Sequence, residues 1–167
     1  MTRYRLLAVD IDGTLVDHRD QLSWPTREAL VRVGEAGIHV VLATGRRYSR
    51  TLGLVEPLGI EVPLITASGA LVKDPRDHRT LYRAEFDGAL LCQSMAIIEA
   101  CGYDPVVCSD TYTEGFDFYQ PRGEVESAEL TEYFELNPGE GRIWPELVTD
   151  PPPGVFTVFA MGTREEM

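Results

Sequence analysis

LLAVDIDGTL, residues 6–15, closes a run of four apolar side chains on a pair of carboxylates. Leu6, Leu7, Ala8 and Val9 are followed by Asp10, and Asp12 comes two residues later, just before Gly13. A continuous apolar run of this length predicts a strand buried on both faces, here Arg3–Asp10, of the kind found in parallel sheets. Open α/β sheets bind their ligands outside the carboxyl ends of the strands. Asp10 and Asp12 sit at such an end, and Gly13 lets the backbone turn sharply so that both reach one pocket. Like charges that close are unfavourable unless a cation or a shared proton relieves them. A hard divalent ion such as Mg²⁺ is the economical solution.

Strand and helix signals alternate downstream of this segment. Ser23 can cap a helix that carries Pro25 in its first turn. Ala29, Leu30, Val33 and Ala36 give that helix an apolar stripe, which Gly37 stops. Ile38–Ala43 is a second continuous apolar strand, with Thr44-Gly45-Arg46 at its carboxyl end. A second helix is expected over Tyr48–Leu58, with Leu52, Val55 and Leu58 on one face. A short strand over Pro63–Thr66 then meets a turn at Ser68-Gly69. This order predicts an α/β fold built on a doubly wound parallel sheet.

A hydroxyl, a flexible backbone N–H and a guanidinium at the end of the second strand suit an anion, and a phosphate in particular. A carboxylate nucleophile, a neighbouring carboxyl acid/base, Mg²⁺ and a phosphate-binding hydroxyl together imply phosphoryl transfer through an aspartyl-phosphate. Plainer readings stand beside these. Thr44 also suits a helix N-cap, Arg46 and Arg47 read equally as surface ion pairs, and Asp17 and Asp20 read as loop charges.

The second half has a different character. Leu71-Val72 and Thr80–Arg83 flank a polar turn, which predicts a hairpin. Asp87 can cap a helix running to Ala100, with Leu90, Leu91, Met95 and Ile98 on one side. Tyr103–Ser109 and Thr111–Tyr119 are expected as paired strands, Glu124–Leu136 as an acidic helix, and Arg142–Val148 and Val155–Met161 as further strands. Thr163–Glu166 reads as the start of another helix. Tyr112, Phe116, Phe118 and Tyr119 read as sheet packing rather than a sugar platform.

Charge follows the same division. Residues 1–80 carry 10 acids and 11 bases, a net of +1, whereas residues 81–167 carry 17 acids and 4 bases, a net of −13. That balance argues against general nucleic-acid binding, which needs a basic face. Residues 110–140 alone hold nine acids and one base, read as an outward, solvated surface. With 44% hydrophobic and 25% charged residues, disordered and coiled-coil classes fit poorly. No apolar run approaches the roughly 18 residues of a membrane span, and the N-terminus lacks the form of a signal peptide. Cys92, Cys101 and Cys108 are odd in number and form no C-x-x-C pair. They read as reduced, mostly buried thiols of a cytoplasmic protein.

LLAVDIDGTL at 6–15, VVLATGR at 40–46 and LITASGALV at 64–72, with the spacing between them, resemble the haloacid dehalogenase (HAD) superfamily. The likeness is to Cof-type phosphatases with a large α/β cap, subfamily IIB. The resemblance implies a HAD-like core with residues 1–80 as its N-terminal half, and residues 81–167 as most of an α+β cap of the αββ-repeat kind. It implies Asp10 as nucleophile and metal ligand. Asp12 becomes the general acid/base, with its backbone carbonyl on the metal. Thr44 becomes the hydroxyl that holds the transferring phosphoryl group, with Gly45 and Ile11 also in the phosphate-binding set. Arg46 and Ser68 are possible substrate contacts, although Ser68 stands where relatives usually have Asn. The implied activity is Mg²⁺-dependent hydrolysis of small phosphorylated metabolites such as sugar phosphates.

One part of the family pattern is missing. Relatives resume the core after the cap and bring a Lys and a Gly-Asp-x-x-Asn-Asp-like motif. Lys73 is the only lysine here and precedes the cap, and no late Gly-Asp pair occurs. The chain is therefore expected to be C-terminally truncated, inactive as it stands, and prone to self-association through uncovered core surfaces. Two other readings remain. One is a non-catalytic phosphate- or partner-binding protein derived from the same fold. The other is a receiver-like phosphoacceptor domain, which the Asp-x-Asp-Gly-Thr turn and the long second half disfavour.

Overall fold

The computed structural model describes residues 4–56, 61–125 and 127–163. The chain forms two compact units, Met1–Arg83 and Ala84–Met167.

The first unit is a five-stranded sheet with helices in its crossovers. Strands β1 (Leu6–Asp10), β2 (His39–Ala43) and β3 (Leu64–Thr66) are parallel neighbours. Strands β4 (Leu71–Lys73) and β5 (Thr80–Arg83) extend the sheet as the expected antiparallel hairpin. Helix α1 (Trp24–Glu35) joins β1 to β2, and α2 (Tyr48–Val55) joins β2 to β3. Ser23 caps α1, its Oγ accepting the Thr26 N–H, with Pro25 in the first turn. Gly37, at φ 76°, takes the left-handed turn that ends the helix. Helix α2 buries Tyr48, Thr51, Leu52 and Val55, one face at helical spacing. Leu58, expected on that face, lies outside the described residues. Helix α1 has no buried residue.

Strand β1 departs from the sequence reading. Its apolar run predicts burial on both faces, yet Leu6 is 57% and Leu7 37% exposed. Among the described residues β1 has β2 as its single ladder neighbour, so it is an edge strand, and its successive side chains Leu6 and Leu7, which point to opposite faces, are both left open to solvent.

The second unit runs α3 (Gly88–Ala100), β6 (Val106–Ser109), β7 (Phe118–Gln120), α4 (Ala128–Glu135), β8 (Gly141–Ile143) and β9 (Val155–Phe159). This is an αββ unit written twice. The sheet order is β8-β7-β6-β9, with β6 antiparallel to both β7 and β9 and buried along its whole length. Asp87 caps α3 and Ser127 caps α4 through their side-chain oxygens. Leu91 and Met95 of α3 pack with Val107, Leu147 and Val155 into a core. Phe118 stacks on Phe134 at 5.6 Å, and Phe116 meets Tyr119 edge-on at 5.0 Å.

Several expected elements are shorter than their sequence signals, three of them for a visible reason. In place of a strand from Thr111, a 3-10 turn covers Tyr112–Glu114 and Gly115 turns left-handed at φ 82°. The Thr111 hydroxyl donates to the Phe116 carbonyl across this loop, and strand geometry resumes at Phe118. The strand expected over Arg142–Val148 ends at Ile143, because Pro145 has no N–H for a ladder. The following residues instead form turns, Leu147 N–H to Trp144 carbonyl and Thr149 N–H to Glu146 carbonyl. Helix α4 starts at Ala128 rather than Glu124 because Ser127 is its cap. The helix start expected at Thr163–Glu166 falls, from residue 164 on, outside the described residues.

No disulfide joins Cys92, Cys101 and Cys108, and the expectation of mostly buried thiols holds only for Cys108, since Cys92 is half-buried and Cys101 exposed. Among the described residues no helix is long and apolar enough to cross a membrane.

Candidate active site

The register of the parallel strands places the sequence-selected residues on one sheet edge. Asp10 pairs with Ala43, and Ala43 pairs with Ile65. Each strand therefore stops level with the next. Asp10-Ile11-Asp12, Thr44-Gly45-Arg46 and Ala67-Ser68-Gly69 leave the sheet side by side. After β1 the chain winds into a tight turn: the Leu15 and Val16 N–H groups both donate to the Ile11 carbonyl, and Gly13 N–H donates to Val16. Gly13 has φ 74°, the left-handed value that favours glycine. This turn buries Ile11, Leu15 and Val16 and leaves Asp10 and Asp12 exposed.

Asp12 is the hub of the site. Thr44, 6% exposed, donates its hydroxyl to Asp12 Oδ2 at 2.9 Å. Arg46 donates to Asp12 Oδ1 through Nε at 2.9 Å and Nη2 at 2.5 Å. The same guanidinium reaches Asp20, with Nη2 to Oδ1 at 2.5 Å and Nη1 to Oδ2 at 3.1 Å. Thr44 Oγ1 also accepts the Arg46 N–H at 3.1 Å. The Arg46 hydrogen bonds, helped by Thr44, hold the Asp12 carboxyl below the usual carboxylate range, against the opposing effect of burial. Arg46 does the same to Asp20. In return the two acids, Asp20 first, raise the guanidinium further above its ordinary value.

The other selected residues take distinct places. Asp10 accepts the Thr14 hydroxyl on Oδ2 at 3.2 Å. The Ile11 N–H donates to the Ala43 carbonyl at 3.3 Å, so it is engaged in the sheet rather than turned to a ligand. Gly45 is exposed, and a Cβ there would stand 3.5 Å from Ser68 Oγ, so Ser68 flanks it. Ala67, Ser68 and Gly69 are all left-handed, at φ 50°, 55° and 95°. The Ala67 and Ser68 N–H groups fasten this turn to the Arg46 and Thr44 carbonyls.

Thr44 is not a helix cap, since Arg47 holds the N-cap position of α2 without a side-chain bond. Arg46 is an ion-pair residue, and it pairs within the site rather than on a remote surface. Asp20, read from sequence as a loop charge, is part of the cluster. Its signal was unreadable because its partner lies 26 positions away. Lys73 is 3% exposed. Its ammonium donates to Thr80 Oγ1 at 3.1 Å and lies 5.4 Å from the Tyr48 ring centroid.

A metal is tested by the donor set. The Asp10 carboxylate and the Asp12 backbone carbonyl are hard oxygens on an exposed turn. Among the described residues, no group of three or more acidic, His or Cys side chains is placed to hold an ion. The available oxygens fit Mg²⁺, which usually takes one or two carboxylates and completes its shell with waters and substrate phosphate.

Phosphatase YwpJ of Bacillus subtilis is 31% identical over 136 residues, covering 80% of this chain and 46% of YwpJ. An HMP-PP phosphatase of Yersinia pestis is 38% identical over 71 residues, covering 42% of this chain and 26% of that protein. The chain thus spans about half, or less, of the length of these curated relatives. A solved haloacid dehalogenase-like hydrolase from Bacillus subtilis superposes with a TM-score of 0.71 at 24% identity, over 97% of this chain and 63% of that one. A Thermotoga maritima structure gives 0.74 at 20% identity, over 97% and 58%. The family model of the haloacid dehalogenase-like hydrolases matches residues 7–137, a span that takes in all three strand-end segments, and the chain belongs to that family.

Proposed function

We propose that the strand-end site serves a Mg²⁺-dependent phosphatase of small phosphorylated metabolites, sugar phosphates among them, working through an aspartyl-phosphate. The observation that carries this reading is the register that sets Asp10 level with Ala43 and lets the Thr44 hydroxyl meet Asp12 at 2.9 Å. The named activities of YwpJ and of the HMP-PP phosphatase support the reaction class.

In the proposed sequence an Asp10 carboxylate oxygen attacks phosphorus. The bond to the leaving oxygen breaks, and that oxygen takes a proton from Asp12, which can carry one only once it has exchanged the Arg46 pairing that keeps it ionised. Asp12, now ionised, accepts a proton from water as the water oxygen attacks the acyl phosphate. The Asp10–phosphorus bond breaks, releasing inorganic phosphate and restoring the carboxylate. Thr44 and the Gly45 N–H hold the transferring group. Mg²⁺, held by the Asp10 carboxylate and the Asp12 carbonyl, would screen the repulsion between carboxylate and phosphate. Ser68, which flanks Gly45, would contact the substrate in this reading.

This 167-residue chain is further proposed to turn over little by itself. Its single lysine is buried in β4 and directed to Thr80, so it supplies no ammonium to offset charge developing at Asp10. The chemistry is therefore tested by binding. Calorimetric titration with Mg²⁺ and beryllofluoride, a mimic of the aspartyl-phosphate, is expected to show one site on the wild-type chain and none on Asp10→Asn. Equal binding by both would refute Asp10 as the acceptor. Turnover of an aryl phosphate at the level of full-length relatives would refute the proposed low activity.

A further inference from the structure

Two donors of the proposed phosphate site are already engaged by the chain itself. The Thr44 hydroxyl has one hydrogen, and it goes to Asp12. Arg46 makes four side-chain hydrogen bonds, two to Asp12 and two to Asp20, out of the five N–H groups a guanidinium carries. A carboxylate presents anionic oxygens much as a phosphate does, and arginine forks recognise both. The cluster therefore already fills the anion-binding donors with internal carboxylates.

Asp12 and Asp20 hold Arg46 for different reasons. In the proposed reaction Asp12 exchanges protons and must change partners. Asp20 touches no reacting atom. Its loop is fixed independently: Asp17 Oδ1 accepts the Arg19 and Gln21 N–H groups at 2.8 and 3.0 Å, and Val16 bridges to Leu22. Asp20 itself sits in the left-handed region at φ 58°.

We propose that Asp20 is a positioning residue that restrains the phosphate site, holding the Arg46 guanidinium on the loop so that an incoming phosphate dianion must compete for it. This rests on the reading of Thr44 and Gly45 as the phosphate cradle. The restraint is modest in size. The Arg46 side chain is 28% and Asp20 53% exposed, and an ion pair in that setting changes an equilibrium by about fivefold at most.

The test is a double-mutant cycle read by calorimetry, with inorganic phosphate as the probe. Asp20→Asn keeps the side-chain shape and removes the charge, and it is expected to tighten phosphate binding by roughly threefold to fivefold. Removing any negative charge nearby also favours an anion, and it relieves Arg50, which acts on Asp20 through space. The cycle separates these effects. In the Arg46→Gln background the gain from Asp20→Asn is expected to vanish. A gain that persists there is bulk electrostatics, and the inference fails. Weaker binding by Asp20→Asn makes Asp20 a structural prop, and the inference fails again. Phosphate binding absent from wild type and every variant refutes the cradle itself, whereas loss on Thr44→Val with no effect of Asp20→Asn refutes only the restraint. Should a variant not fold, the wild-type chain still answers. Its Arg46 Nη protons, which hold Asp20 and are assigned by through-bond correlation within the wild-type chain, are expected to move on adding phosphate, and fixed resonances at saturation overturn the proposal.

Discussion

Thr44→Val removes one oxygen from a 6% exposed side chain and leaves its branched shape in place. Two hydrogen bonds go with it, the 2.9 Å donation to Asp12 and the 3.1 Å acceptance from the Arg46 N–H. A neutral bond contributes about 0.5–1.5 kcal/mol net, and one to a charged partner about 1.5–3 kcal/mol. The Asp12 side chain is 47% exposed, so the lower ends apply, and the loss is expected at about 1–2 kcal/mol. For a chain of 167 residues that is a fall in Tm of about 2–8 °C, at roughly 2–4 °C per kcal/mol. Circular dichroism melts at pH 7 measure it. Thr44→Ser, which keeps the hydroxyl, serves as the control. Phosphate binding by calorimetry is expected to fall by at least about tenfold in the Val variant and to survive in the Ser variant. A Val variant that melts with the wild type and binds phosphate as tightly would show that the hydroxyl neither orders Asp12 nor holds the anion.

Two further predictions concern stability. Gly141→Ala places a Cβ 2.7 Å from Phe118 Cε2 and 3.1 Å from both Phe118 Cζ and Gln120 Oε1. Phe118 is 1% exposed and stacked on Phe134, so the ring has nowhere to go. A loss of about 1–3 kcal/mol is expected, read as a lower urea midpoint, and an unchanged midpoint would mean that the ring moves freely. Asp74, 4% exposed, accepts from Arg76 Nε at 2.9 Å and from Nη2, which pulls its carboxyl down to about 2. A folded value below the unfolded value of about 3.9 stabilises the fold fully above that pH and is lost as pH falls through about 2. The difference in urea midpoint between wild type and Asp74→Asn is therefore expected to shrink between about pH 4 and pH 2. Parallel curves across that window would contradict the pairing.

The site's framework was legible because it depends on short-range signals. Apolar runs ending on Asp10 and on Thr44 mark strand ends, and parallel register then brings those ends together whatever the connecting helix contains. The hairpin of β4 and β5 was readable for a similar reason, from two short apolar pairs around a polar turn. Neighbours in space were not readable. The run Leu6–Val9 announces a strand but says nothing about what lies on its other side, so its exposure came from topology alone. Asp20 reaches Arg46 only because the backbone turns left-handed at a residue that is not glycine, inside a loop ordered by Asp17. No periodicity records that. The loop at 111–117 carries apolar residues at strand-like intervals, yet a Thr hydroxyl and Gly115 fold it into a turn. The burial of Lys73 was equally hidden, since its charge predicts a surface residue and only the Thr80 and Tyr48 contacts reveal its place.

The unequal anchoring of the two helices in the first unit has a consequence in time. Segments with few buried apolar contacts open locally at free energies far below global unfolding, while well-buried ones hold until the whole unit opens. Helix α2, fixed by four buried side chains, belongs to the slow class, and Thr44-Gly45-Arg46 leads directly into it. Helix α1 buries none and belongs to the fast class, and the loop bearing Asp20 leads into that one. The two halves of the Arg46–Asp20 pair thus ride on segments with different lifetimes. Amide exchange should reach the Asp20 side long before the Arg46 side, and the pair breaks from the aspartate end.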